Sequence, residues 1–227
     1  MKEFLVKLKC LDAFTLKMIA IITMVIDHTG AVLFPYNIWF RMIGRLSFPI
    51  FAFFIVEGFA HTGNMVKYVS RMLFFALLTE PVFDFAFYGK IYFGYQNVMF
   101  TFLAALLGLS VMEIVKKRIS NDFAAKLVSL GVIITAALLA QFLHTDYGAF
   151  GVMLVYVYYE LRERFFEKHF LSTLVQVVCE TGISRLSAFS TIPLMLYNGK
   201  RGIGIKYLFY TFYPAHLLVL YLIGLRM

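Results

Sequence analysis

Three ionisable side chains stand inside one long apolar run from Thr15 to Gly30: Lys17, Asp27 and His28. Charged and ionisable groups are costly in hydrocarbon, and where they persist they mark functional positions. Lys17 and His28 are eleven positions apart, which on an α-helix is about 1100°, or three turns plus about 20°, and ~16 Å along the axis. They cannot touch, but they share one face with Ile21 and Met24 between them. On that face they can line one path, with the lysine near a membrane surface and the imidazole deep. A lysine is a compact point charge suited to a phosphate. A neutral histidine titrates near physiological pH and suits general-base work.

The elements that position this run are transmembrane. The 227 residues are 61% hydrophobic and 15% charged, with a mean hydropathy of +0.80, whereas a soluble domain is about half apolar and a quarter charged. The composition predicts an all-α, polytopic membrane bundle forming a single domain over 1–227, each span needing about 20 apolar residues. Its basic start leads into a full span with no small-residue cleavage site, so no cleavable signal is expected. Cys10 and Cys179 are isolated, which gives neither a disulfide framework nor metal-ligand spacing. The net charge of +8 sits mainly in loops, as membrane topology requires, and does not suggest nucleic acid as a partner.

Residues 1–13 read as a short interfacial segment. Spans are expected at about 14–34, 38–60, 66–88, 97–115, 124–143, 148–161 and 206–225. The stretch 171–198 is either one 28-residue helix or two short ones broken near Thr181-Gly182, and two are favoured, for nine spans rather than eight. Lys and Arg concentrate at the N-terminal segment, near Lys67 and Arg71, from Lys116 to Lys126 and from Arg162 to Lys168. That asymmetry places the N-terminus in the cytoplasm. With 171–198 in two pieces, the basic loop at 198–203 falls on the same side.

Depth follows from antiparallel pairing. About a turn at 35–37, residues of the first two spans whose numbers sum to about 72 are level, so Arg45 lies beside Asp27 and His28. Asp27 and His28 differ by about 100° around the helix and face different neighbours. Asp27 is therefore expected to pair with Arg45, which lessens the desolvation penalty of both. Glu80 and Asp84 share a face in the outer half of the third span. Glu57 lies at the inner end, level with Lys67 and Arg71, as a local charge partner. His216 sits near mid-depth in the last span, where Pro214 disturbs the backbone ladder. Gln96, Asn97, His144 and Asp146 gather at outer loops, and His61 and His169 read as loop residues.

The chain resembles the TraX family. The resemblance rests on Leu11-Asp-Ala-Phe-Thr-Leu-Lys-Met-Ile-Ala, Ile26-Asp-His-Thr-Gly, Gly44-Arg-Leu-Ser-Phe-Pro-Ile-Phe-Ala-Phe and Val56-Glu-Gly-Phe-Ala-His-Thr. It continues through Gln96-Asn-Val, Asp146-Tyr-Gly, Tyr197-Asn-Gly-Lys-Arg-Gly and Phe212-Tyr-Pro-Ala-His, spanning nearly the whole chain in order. Lys17 and His28 also match the Arg/Lys-X10-His spacing of the membrane acyltransferase-3 superfamily. The family takes its name from a membrane protein that N-acetylates F-type pilin. The resemblance implies a multi-pass enzyme of the bacterial cytoplasmic membrane, in contact with membrane lipid. It further implies acetyl-CoA as cytoplasmic donor, an acceptor approaching the deep histidine, and no metal.

The catalytic candidates are then His28, Asp27 and Arg45, with His28 acting as base or as transient acyl carrier. The substrate-binding candidates are Lys17, Arg71, Glu57, Glu80 and His216, with the Lys200-Arg201 loop as a further source of charge for the CoA phosphates. The acceptor is an amine or hydroxyl, on a pilin-like protein N-terminus or an envelope glycan. A small transporter also places charges on one intramembrane face, but the chain shows no paired, interrupted halves. A non-catalytic pilus or envelope assembly factor is the third reading.

Overall fold

The computed structural model describes residues 9–204 and 206–227. Most of the interfacial segment expected over 1–13, with Lys2 and Lys7, lies outside them. The described chain is helical throughout: α1 (Ala13–Val32), α2 (Ile38–Gly44), α3 (Ser47–Ala60), α4 (Met65–Tyr88), α5 (Val98–Arg118), α6 (Asp122–Phe142), α7 (Gly148–Glu160), α8 (Phe165–Cys179), a 3-10 stretch (Gly182–Ser190), α9 (Thr191–Met195) and α10 (Lys206–Gly224). Among the described residues five units are long and apolar enough to cross a membrane: α1, α2 and α3 taken together, α5, α6, and α10 from Tyr207. α4 has the length, at 24 residues, but carries Lys67, Arg71, Glu80 and Asp84.

The helix starts are written in the sequence. Asp12, Asn37, Asn64, Asn97 and Asn121 each accept a backbone N–H from the first turn of α1, α2, α4, α5 and α6. That satisfies one of the donors a helix leaves open at its N-terminus. α4 ends on Gly89 at φ +67°, the left-handed cap that glycine takes without steric cost.

The second span, expected as one helix over 38–60, is broken at Arg45 and Leu46. Pro49 is the reason. Its ring has no N–H and clashes with the carbonyl four residues back, which is that of Arg45. The break tilts α2 against the C-terminal half of α1. Two glycines permit the approach: a Cβ at Gly30 would fall on the Phe40 side chain, and one at Gly44 inside the Asp27 side chain. Gly44→Ala is therefore expected to cost about 1–3 kcal/mol, as overpacking does, and to lower the melting temperature in detergent. An unchanged melting temperature would show that the α1–α2 contact is looser than this.

α3 packs on α7, while α5, α6 and α7 form a layer of neighbours. α10 returns to pack against α4 and α1, closing the bundle around the polar run. The core is apolar and fully enclosed at Leu16, Ile50, Leu106, Leu109, Leu154 and Leu217. On α6 the buried residues include Ala125, Ser129, Ile133 and Ala137, and Gly108 of α5 comes close to Ala136 and Ile133, where a Cβ would sit 3.1 and 3.3 Å from their side chains. The opposite stripe of Leu127, Leu130, Ile134 and Leu138 is exposed, as a lipid-facing surface is.

The stretch 171–198 is not one helix. α8 stops at Cys179, Gly182 takes φ +54°, and the chain turns back through the 3-10 stretch and α9. The following loop is then laced to the start of α1: Leu11 N–H donates to Leu196 O (3.0 Å), Asn198 N–H to Leu11 O (2.8 Å) and Ala13 N–H to Lys200 O (2.8 Å). Residues 198–202 thus share the end of the bundle that holds Cys10. Cys10 and Cys179 are free and exposed. In a chain lacking Cys179, Cys10 and a Lys200→Cys thiol are expected to show the same sidedness toward an impermeant reagent on intact cells. Opposite labelling of the two would contradict the lacing.

Candidate functional site

Two cavities lie at opposite ends of α1, and Phe51 and Phe102 line both. The larger, about 650 Å³, opens beside the N-terminal end of α1 and is bordered by the loop at 199–204. It carries Lys17, Arg71 and Arg201 against one carboxylate, Glu57. Glu57 accepts a hydrogen bond from Tyr197 Oη at 3.3 Å. Lys17 Nζ rests over the rings of Phe54 (4.7 Å) and Phe209 (5.2 Å). Among the described residues no carboxylate lies within ion-pair distance of it. Arg71 spreads over Tyr68 (5.6 Å) and Tyr210 (5.2 Å), and its Nε lacks a hydrogen-bond partner. Aromatic faces hold the cations in place without neutralising them, so the cavity presents positive charge to an anionic ligand.

The second cavity, about 260 Å³, is lined by His28, Asp27, Arg41 and Arg45 together with Tyr95, Asp146 and Tyr147. Asp27 holds two guanidiniums at once. Its Oδ1 accepts from Arg45 Nη2 at 2.7 Å and its Oδ2 from Arg41 Nη1 at 2.6 Å. Arg45 Nε also donates to the carbonyl of Arg41 at 3.2 Å. The pairing of Asp27 with Arg45 expected from depth is present. Arg41 is the partner that depth reasoning missed. The signal was available, because Arg41 and Arg45 are four apart and so share a helix face.

His28 does not join this fork. Its Nδ1 lies 2.7 Å from Nε2 of His216 on α10, and Nδ1 of His216 lies 2.9 Å from the carbonyl of Phe212. Phe87 and Tyr213 pack edge-on and tilted against the His28 ring. The two histidines read separately in the sequence are thus one unit, 188 positions apart along the chain.

The floor of the cavity is the α6–α7 turn. His144 (φ 50°) and Tyr147 (φ 65°) both take left-handed conformations that L side chains rarely adopt. The Tyr147 ring stacks on Phe48 with centroids 3.7 Å apart, and the Asp146 carbonyl accepts from Thr101 Oγ1. These contacts hold a strained turn, and such strain gathers at functional sites. Tyr95 Oη donates to the Asp146 carboxylate at 3.1 Å. Burial pushes that carboxyl up to about 6, against the opposing pull of the Tyr95 hydrogen bond and of Arg45.

Glu80 lines neither cavity. Its Oε2 accepts the backbone N–H of Asn97 at 3.0 Å and the Asn97 side-chain amide. Asp84 accepts the N–H of Tyr92 at 2.9 Å. The pair shares a face in the expected half of the bundle and pins the α4–α5 loop there. Glu57, Arg71 and Lys17 do meet in one cavity, His28, Asp27 and Arg45 in the other, and His216 stands behind His28. No group of three or more metal-ligating side chains occurs among the described residues.

Comparison with known proteins assigns the chain. No solved structure matches it. The family model described as TraX protein matches residues 13–224. A probable fimbrial assembly protein, FimC of serogroup H1 from Dichelobacter nodosus, is 31% identical over 92% of this chain and 94% of its own length. A protein of Rickettsia prowazekii (strain Madrid E) described as uncharacterized is 32% identical over 35% of this chain and 36% of its own. With the family model covering all the helices that build both cavities, the chain belongs to the TraX family.

Proposed function

We propose that the chain is a membrane acetyltransferase that moves an acetyl group from cytoplasmic acetyl-CoA to an amine or hydroxyl acceptor on an envelope protein or glycan. The observation that carries this reading is the pair of cavities. One bears three cations against a single carboxylate, the other bears His28, and they share the wall formed by Phe51 and Phe102. In this reading Lys17, Arg71 and Arg201 attract the phosphates of CoA. The pantetheine arm extends along α1 and brings the thioester to the far cavity. His28 takes the proton from the acceptor as its nitrogen or oxygen attacks the thioester carbonyl. The CoA thiolate leaves and receives that proton from the imidazolium. Alternatively, a nitrogen of His28 attacks the thioester carbonyl and the CoA thiolate leaves; the acceptor then attacks the acetyl-imidazole, the imidazole departs, and the acceptor's proton goes to the thiolate. Arg41 and Arg45, fixed by Asp27, supply positive potential beside the carbonyl oxygen as charge develops there. Asp146 and Tyr95 are among the polar groups of this cavity that can orient the acceptor.

The orientation goes with the reading. The basic end with Cys10, Lys200 and Arg201 faces the cytoplasm of a bacterial cell, consistent with the distribution of Lys and Arg. α4, α7 and the α8-to-α9 hairpin complete the membrane bundle to eight or nine passes.

Lys17 carries the donor half of the test. Lys17→Arg keeps the charge and is expected to be mild. Lys17→Met keeps the stem and removes the charge. It is expected to raise the KM for acetyl-CoA with a smaller effect on kcat, the signature of lost uniform binding. If Lys17 only anchors the helix at the interface, Lys17→Met lowers expression and leaves the KM of the surviving protein unchanged.

A second reading is favoured by one observation, the description of the Dichelobacter relative as a probable fimbrial assembly protein. A non-catalytic assembly factor would support pilus or envelope assembly without turning over acetyl-CoA. His28→Ala separates the two: under the enzyme reading the acetyl mark disappears, whereas a scaffold retains its assembly role with the substitution in place.

A further inference from the structure

We infer that His216 is a positioning residue that holds His28 in one tautomer, with the proton on Nδ1, and so makes Nε2 of His28 the nitrogen that meets the reacting groups. This rests on the acetyltransferase reading for its use, but its structural basis is independent of it. The carbonyl of Phe212 can only accept, and Nδ1 of His216 lies 2.9 Å from it. Nδ1 of His216 therefore carries a proton. In a neutral imidazole the other nitrogen then has none, so Nε2 of His216 is an acceptor. Nδ1 of His28 is 2.7 Å from that nitrogen. For two neutral rings this contact is a hydrogen bond only if His28 donates, and His28 Nδ1 therefore carries a proton as well.

The ring geometry agrees. The planes differ by 11° and the centroids are 5.0 Å apart. With the facing nitrogens 2.7 Å apart, the rings are joined edge to edge through one in-line contact and are not stacked face to face. The box around them resists a ring flip. Tyr213 packs on both rings, Phe87 on His28 and Phe212 on His216. The carbonyl, the second imidazole and the first thus form a one-way chain of donors and acceptors. It ends at Nε2 of His28, which keeps its lone pair and has no hydrogen-bond partner among the described residues.

The arrangement does what an oriented carboxylate does for a catalytic histidine: it fixes the tautomer, and it accepts a hydrogen bond that strengthens as the imidazole becomes cationic. Here the orienting group is a neutral histidine whose own tautomer is fixed by the backbone of α10. His216 touches no reacting atom in this scheme.

The test reads the tautomer directly. Nitrogen-15 spectra of the purified chain in detergent, labelled at histidine and assigned with His28→Gln and His216→Gln, are expected to show both residues protonated at Nδ1 and bare at Nε2. A bare Nδ1 on His28 overturns the inference, whether or not the chain is an enzyme. His216→Leu removes the acceptor and is expected to release His28 into the other tautomer or a mixture. Its kcat is expected to fall by about 10²- to 10⁴-fold, the range seen when a catalytic imidazole loses its orienting partner or its base function, with the KM for acetyl-CoA unchanged. His216→Gln retains a side-chain carbonyl that can accept from His28 and is expected to recover part of the rate. An unchanged kcat in His216→Leu, or a His28 tautomer insensitive to it, overturns the positioning role. If wild-type protein shows the expected tautomers but turns over no acetyl-CoA, the acetyltransferase reading fails and the histidine pair stands.

Discussion

His28→Ala is expected to lower acyl transfer by about 10²- to 10⁴-fold, the contribution of a positioned general base, while the chain still inserts and folds. Insertion survives because one histidine adds little to the apolar character of α1. The fold survives because the ring's polar contact is a single hydrogen bond to His216, and it otherwise packs against the rings of Phe87 and Tyr213. The check is turnover of acetyl-CoA by purified protein, beside a melting curve in the same detergent. Wild-type turnover by a folded His28→Ala protein would remove the imidazole from the mechanism. A His28→Gln variant serves where the alanine leaves too large a void.

The largest expected effect on stability belongs to Asp27. Its side chain is 10% exposed and holds Arg45, 12% exposed, and Arg41, 34% exposed. Asp27→Asn leaves both guanidiniums without their counter-charge. Removing one partner of a buried ion pair costs about 3–5 kcal/mol, mostly through the uncompensated charge left behind. The melting temperature in detergent is expected to fall accordingly. Adding Arg45→Gln to Asp27→Asn is expected to recover part of the loss, since the deeper orphan charge is removed. Adding Arg41→Gln is expected to recover less, because solvent already screens the more exposed guanidinium. Strict additivity of the Asp27 and Arg45 changes would mean that the two do not interact.

These two sites differ in how far the sequence reveals them. Asp27 lies on α1 and Arg45 caps α2, the next helix across a short turn, so antiparallel register alone brings them level. Lys17 and His28 lie on one helix, so its 3.6-residue period places both on the inward face, where each lines a cavity. No such rule connects His28 to His216. They meet only because α10 closes the bundle against α1 and α4, a tertiary choice that periodicity does not encode. The break between α2 and α3 was legible in principle from Pro49, yet the apolar run across it reads as one span. Glu80 shows the opposite limit. Its depth and face were readable, but a carboxylate that clamps a backbone N–H looks the same in sequence as one that meets a substrate. The basic cavity draws Lys17 from α1, Arg71 from α4 and Arg201 from a loop, and the lacing of that loop onto Leu11 and Ala13 is what brings the last of them in.

In the proposed function acetyl groups pass from CoA through this bundle to an acceptor in the envelope, by way of His28. The most direct measurement is mass spectrometry of envelope proteins and glycans from three strains: one with the wild-type chain, one without it, and one with His28→Ala at matched abundance. The expected result is an acetyl mark present with the wild-type chain and missing from the other two. Identical acetyl inventories in all three would contradict this route.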